Sequence, residues 1–182
     1  MKLKLNNVRL AFPVLFEAKT VNGEGKPAFS ASFLIDPSDA QVKALNQAIE
    51  QVAKEKWGAK ADAVLKQMRA QDKVCLHDGD LKANYDGFPG NLYVSARSAT
   101  RPLVIDKDRS PLAEADGKPY AGCYVNASIE LWAQDNNYGK RVNAGLRGVQ
   151  FLRDGDAFAG GGVASEDEFD DITEGAAAAD LV

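Results

Sequence analysis

The chain has 182 residues, 45% of them hydrophobic and 26% charged, which fits one soluble domain with a core that needs no disulfide staples. No stretch approaches the ~20 apolar residues of a membrane span. The start, MKLKLNNVRLAF, lacks the apolar run and small-residue cleavage site of a secretory signal, so a cytoplasmic protein is expected. The formal charge of -4 hides an asymmetry: residues 155–182 hold eight of the 26 acids and no Lys, Arg or His, so residues 1–154 set 18 acids against all 22 Lys and Arg. A body near +4 joined to an arm near -8 excludes a uniformly acidic surface and is a pattern of nucleic-acid proteins with acidic tails. An inert solubilising end is the other reading of such an arm.

In chain order, Lys2 to Phe12 alternates as a strand, with Leu3 and Leu5 on one phase and Val8, Leu10 and Phe12 on the other. The slip at Asn6 and Asn7 predicts a bulge, since one extra residue is what moves side chains between faces of a strand. After a loop with Asn22, Gly23 and Gly25, the segment AFSASFLID places Phe29, Ala31, Phe33 and Ile35 on the core side against Ser30 and Ser32. Ser38 with Gln41 three residues on has the form of a capping box, and Val42, Leu45, Ile49 and Val52 make a helical stripe that Gly58 ends. A shorter amphipathic piece, Asp62 to Ala70, turns Val64, Leu65 and Met68 inward and leaves Lys66 and Arg69 to solvent.

Beyond Lys73 the period returns to two. In NLYVSARS the core phase is Leu92, Val94 and Ala96; in YVNASIELW it is Val125, Ala127, Ile129 and Leu131. QDNNYGK reads as a hairpin turn into a last strand with Val142, Ala144 and Leu146 inward, and Gly145 and Gly148 suggest close backbone approach or a barrel corner. Gly160, Gly161 and Gly162 read as a flexible link. The residues thus divide into a domain over 1–154 with a helical insertion at about 38–70, and a link with an acidic tail over 155–182.

Single-stranded nucleic acid is held by cations that follow the phosphates and by exposed rings on which bases stack. Tyr93 with Arg97 and Arg101 forms one such row, and Trp132 with Tyr138, Lys140, Arg141 and Arg147 forms another across the hairpin. Lys82, Tyr85 and Phe88, in LKANYDGFPG, are placed to close a groove. Packing beneath helices or against a second subunit is the competing role for any one ring, and monomer and homodimer both stay open.

Three blocks, LNNVRLAFPVLF, PGNLYVSARSATRP and DGKPYAGCYVNASIELWAQDNNYGKRVNAGLRGVQFLRDGDAFAGG, occur in order and together resemble a bacteriophage single-stranded DNA-binding protein family, formerly a domain of unknown function. The resemblance implies a mainly β fold, an OB-fold-like five-stranded barrel elaborated with helices. It also implies single-stranded DNA as partner in phage replication and recombination, in the host cytoplasm, and a disordered acidic C-terminal tail. Many such tails end in an aromatic residue or a Pro-Phe pair; this chain ends Ala179, Asp180, Leu181, Val182. Expected contact with replication or recombination proteins therefore moves to Glu166, Asp167, Glu168, Phe169, Asp170, Asp171 and Ile172.

Enzyme motifs are missing: there is no GxxxxGK[ST] loop, GxSxG elbow or HExxH pair, and one histidine offers little for general-base work, so no catalytic residue and no cofactor is expected. Cys75 and His77 are spaced like two zinc ligands, but a structural site needs about four, and only Cys123 and carboxylates remain. Asp78 and Asp80 flank Gly79 as in many turns, which is preferred over a magnesium pair. No metal is expected. The alternative function is a phage accessory protein-interaction module whose acidic tail mimics DNA.

Overall fold

A computed structural model describes residues 1–21, 23–158 and 169–173. Seven strands and two helices run in the order β1 (Lys2–Val21), β2 (Glu24–Ile35), α1 (Ala40–Trp57), α2 (Ala61–Ala70), β3 (Leu76–Asp78), β4 (Leu92–Ser98), β5 (Leu103–Ile105), β6 (Tyr124–Asn136) and β7 (Gly139–Arg153). The sheet order is β3-β4-β2-β1-β6-β7-β5, and parallel pairing of β4 with β7, Ala96 opposite Ala144 and Arg97 opposite Gly145, closes β1, β2, β4, β7 and β6 into a barrel. This is the five-stranded OB-fold anticipated from the resemblance, with β3 and β5 added at its margins.

The length of β1 makes closure possible. Its first half, Lys2 to Arg9, pairs with β6, and its second half, from Arg9 onward, pairs with β2. Two of its irregularities contain a residue at positive φ. The predicted one lies between Leu5 and Val8, with Asn7 at φ 52°, and puts Leu5, Val8 and Leu10 all in the core. The second lies between Ala11 and Val14, where Phe12 adopts φ 48°. A positive φ reverses the side-chain direction expected from alternation, so Phe12, expected in the core phase, is 47% exposed.

The alternation read in the later strands holds for Val94, Ala96, Val125, Ala127, Ile129, Leu131, Val142, Ala144 and Leu146, which are buried, but at the start of β4 Leu92 is only half-buried and Tyr93, of the opposite phase, is buried. Leu45, Ile49 and Val52 of α1 and Leu65 and Met68 of α2 join the same core. The helix start differs from expectation. Asp39, not Ser38, is the N-cap and accepts from Gln41 N at 2.9 Å, while Gln41 Oε1 and Nε2 reach Asn6 N and O at 2.6 and 2.8 Å. Gln41 therefore pins α1 to the first bulge instead of completing a capping box. Gly58, at φ 56°, ends α1 by donating to Lys54 O, and Trp57 Nε1 donates to Asp135 Oδ2 at 3.0 Å, anchoring α1 to the β6–β7 arm.

Cys75 and Cys123 are buried free thiols, and burial pushes them up to about 12 and about 11 respectively. The thiolate is the reactive species, so iodoacetamide at pH 8 is expected to leave both unmodified in the native protein and to label both in guanidinium. Rapid native labelling of either would contradict this packing. Asp78 and Asp80 serve the turn: Asp78 Oδ1 accepts from Asp80 N and Asp80 Oδ1 from Gly90 N, both at 2.9 Å. Residues 155–158, expected to begin a link, pack on the barrel instead, with Phe158 N donating to Ala121 O at 3.1 Å. The Gly160–Gly162 link and the acids Glu166, Asp167 and Glu168 lie outside the described residues. Among the described residues, no helix is long and apolar enough to cross a membrane.

Candidate nucleic-acid interface

A groove of about 1110 Å³ crosses the barrel face formed by β2 and β4, bounded by the second bulge of β1 and by the β6–β7 arm. Its floor is made of small outward-facing residues, Ala28, Ser30 and Ser32 on β2 and Ser95 on β4, with Ser30 opposite Arg97 and Ser32 opposite Ser95 across the strand pair. Short side chains on the outward phase leave the channel open. Lys26, Lys73, Lys82, Arg97 and Arg141 line it together with His77, and no Asp or Glu does so among the described residues. Nor does any ion pair among the described residues engage those five cations.

Three exposed rings stand in this groove: Phe12, Tyr85 and Trp132, at 47%, 44% and 48% exposure. Phe12 and Tyr85 meet edge to face with centroids 5.0 Å apart. Trp132 rises from β6 opposite Asn143 of β7, and Asn143 Nδ2 donates to Gln134 Oε1 at 2.9 Å, fixing the polar edge beside the indole. Lys82 Nζ lies 5.9 Å from the Phe12 centroid and 5.2 Å from that of Tyr93, within cation–π range. His77 stacks on Tyr93 at 4.8 Å, and its Nδ1 meets Asp72 Oδ1 at 2.5 Å.

Of the residues singled out in the sequence, Lys82, Tyr85, Arg97, Trp132 and Arg141 come together here. Phe88 and Tyr93 do not offer open faces. Both are buried, at 1% and 3%, in a cluster with Ala11 and Leu34, because residues 79–91 fold over the outward face of β4. Desolvation, with Asp72 nearby, raises the Tyr93 hydroxyl pKa. Arg101 and Arg147 line a neighbouring hollow of about 560 Å³ that shares Ser98 and Trp132 with the groove, and Arg147 Nη1 pairs with Glu130 Oε2 at 3.0 Å. Tyr138 and Lys140 sit at the hairpin turn outside the groove, Tyr138 at 86% exposure and Lys140 Nζ 3.9 Å from Asp135 Oδ1.

Phe12, Lys26 and Lys73 also line the groove but were not singled out in the sequence, and His77 was weighed there only as a metal ligand or a general base. A signal existed for the floor, the small residues on the outward phase of AFSASF. None marked Phe12, whose exposure depends on the second bulge. In the tail, Phe169, Asp170, Asp171 and Ile172 are all exposed, the two apolar ones at 71% and 73%.

A closed five-stranded barrel with a cationic, ring-bearing groove over its second and third barrel strands defines the oligonucleotide-binding class of OB-folds. The chain belongs to the family of the Enterobacter phage Enc34 ssDNA-binding protein, which it matches over residues 1–182. It is 53% identical over 176 residues to putative protein p50 of Acyrthosiphon pisum secondary endosymbiont phage 1, covering 95% of each chain. The fold is similar to that of the single-stranded DNA-binding protein from bacteriophage Enc34 in complex with ssDNA, at TM-score 0.72 and 28% identity over 86% of this chain and 88% of that one. At 15% identity, the single-stranded DNA binding protein gp2.5 of bacteriophage T7 shares the fold, at TM-score 0.56 over 90% of this chain and 98% of that one.

Proposed function

We propose that the protein binds single-stranded DNA without sequence preference in the β2–β4 groove and serves phage DNA replication and recombination. The observation that carries this reading is the meeting of five cations with the rings of Phe12, Tyr85 and Trp132 in one channel free of acids among the described residues. Unpaired bases stack on the rings while phosphates follow the cations, and the hollow holding Arg101 and Arg147 extends the path past Trp132. Membership of the Enc34 family supports the choice of ligand. The protein catalyses no reaction in this reading; it protects single strands and melts out hairpins.

Fluorescence anisotropy with single-stranded and duplex oligonucleotides across a salt series tests the proposal. Affinity is expected to favour the single strand and to fall with a log-log slope of about 0.7 per phosphate contact, through counterion release. Equal affinity for duplex, or a salt-insensitive affinity, would sink it. Trp132→Ala is expected to weaken binding by roughly 5- to 150-fold, the range of ~1–3 kcal/mol per stacked base, with the salt slope and melting temperature unchanged.

The acidic tail competes with DNA for the basic groove and, once displaced, is free to recruit replication or recombination proteins through the acids around Phe169 and Ile172. Tethering sets an effective concentration of about millimolar, enough for weak charge attraction to compete. Deleting residues 163–182 is expected to raise single-strand affinity, most at low salt; an unchanged affinity would leave the tail only a solubilising role.

A further inference from the structure

We infer that Phe158, five residues beyond β7, is a positioning residue for the single-strand groove, holding from behind the ring cluster on which Phe12, Tyr85 and Lys82 lean. The inference rests on the groove reading above. It starts from how closely residues 154–158 are fitted to the barrel. The Tyr120 hydroxyl donates to Asp154 Oδ1 at 2.7 Å and accepts from Gly155 N at 3.2 Å, and Arg9 Nη2 donates to Asp156 O at 2.7 Å. The Arg9 guanidinium also stacks over the Phe158 ring, 4.3 Å from its centroid.

Three glycines make room for this segment. A Cβ on Gly122, which sits at φ 104°, would come within 2.2 Å of Asp156 O, and one on Gly155 within 2.2 Å of Gly122 O. A Cβ on Gly87 would lie 2.6 Å from Phe158 Cζ. Gly87 belongs to the same 79–91 stretch that carries Lys82 and Tyr85, so Phe158 lies directly against the segment that supplies part of the groove. A side chain at any of the three positions would collide with this arrangement.

Phe158 packs on the buried cluster of Ala11, Leu34, Phe88 and Tyr93. That cluster also backs the groove: Phe88 lies 5.7 Å from Phe12 and 6.1 Å from Tyr85, centroid to centroid, and Tyr93 carries the stacked His77. Lys82 Nζ sits over Phe12, Phe88 and Tyr93 alike. Removing the Phe158 ring leaves a void against the cluster that holds Phe88 and Tyr93, and a void in a packed cluster is partly filled by movement of its neighbours. The neighbours free to move are the rings that face the groove. The positive charge of the groove is untouched, so the loss falls on stacking and not on phosphate neutralisation.

Two truncations isolate the effect. One ends at Phe158 and the other at Asp156; they differ by Ala157 and Phe158 alone and carry the same net charge, so the acidic tail is absent from both. The longer form is expected to bind a thymidine oligonucleotide at least as tightly as the full chain. The shorter form is expected to bind about tenfold more weakly, within the range for a lost stacking contact, with the same salt slope. In the full chain, Phe158→Ala is expected to reproduce the loss and Phe158→Leu to restore most of it. In a Phe12→Ala, Tyr85→Ala background, Phe158→Ala is expected to cost nothing further, because a residue acting through those rings cannot act without them.

Equal affinity of the two truncations, or an undiminished effect of Phe158→Ala in the double-ring background, would overturn the inference. Should the shorter truncation fail to fold, the full-chain substitutions decide the question alone. If the full chain binds single strands and these comparisons fail, only the role of Phe158 falls; if the full chain binds none, the groove reading falls with it.

Discussion

Phe88→Ala is expected to lower stability by about 3 kcal/mol, the low end for a buried phenylalanine because a small cluster beside a loop can partly collapse. For a chain of this length that is a fall of roughly 6–12 °C in melting temperature. The ring is 1% exposed and meets Tyr93 edge to face at 5.1 Å, an arrangement that adds to simple burial. A thermal melt that shifts by less than about 1 °C would show that the ring is not a core element. The contrast with Trp132→Ala is informative: one substitution is expected to cost stability first, the other affinity alone.

The second large effect is electrostatic. Replacing Lys82, Arg97 and Arg141 together by glutamine is expected to flatten the log-log salt slope by about 2, at ~0.7 per lost phosphate contact, and to weaken single-strand binding at 0.1 M salt by about 100-fold. All three line the groove from separate elements, Lys82 after β3, Arg97 on β4 and Arg141 on β7, so their joint loss leaves only Lys26 and Lys73 of its five cations. Glutamine at the exposed Lys54, Lys56 and Lys66 of α1 and α2 is the matched control and is expected to change the slope little. A slope that drops equally in both sets would mean that binding reports overall charge, not this channel.

Much of the barrel was legible because its inward residues obey a period of two over whole strands. Val125, Ala127, Ile129 and Leu131 are buried as the alternation requires, and the slip at Asn6 and Asn7 marks a real bulge. The helices were legible through the Leu45, Ile49 and Val52 stripe and the glycine stop at Gly58. Local period fails where a distant segment covers an outward face. Tyr93 stands on the polar phase of β4 yet is buried, because residues 79–91 and Phe158 close over it. It fails again at Phe12, where one residue at positive φ sends a core-phase ring to the groove. Arg97, Trp132 and Arg141 meet in the groove, and each was visible in the sequence because cations and rings on outward phases carry their own signal. Lys26 and Lys73 lie at strand margins, where alternation assigns no face.

Photo-crosslinking locates the bound strand most directly. An oligonucleotide carrying 5-iododeoxyuridine, bound to the full chain, irradiated and mapped by mass spectrometry, is predicted to form adducts at Trp132 and at Phe12 or Tyr85. Adducts confined to rings outside the groove, such as Tyr124 or Tyr138, with the peptides bearing Phe12, Tyr85 and Trp132 unmodified, would contradict the placement of single-stranded DNA in the β2–β4 groove.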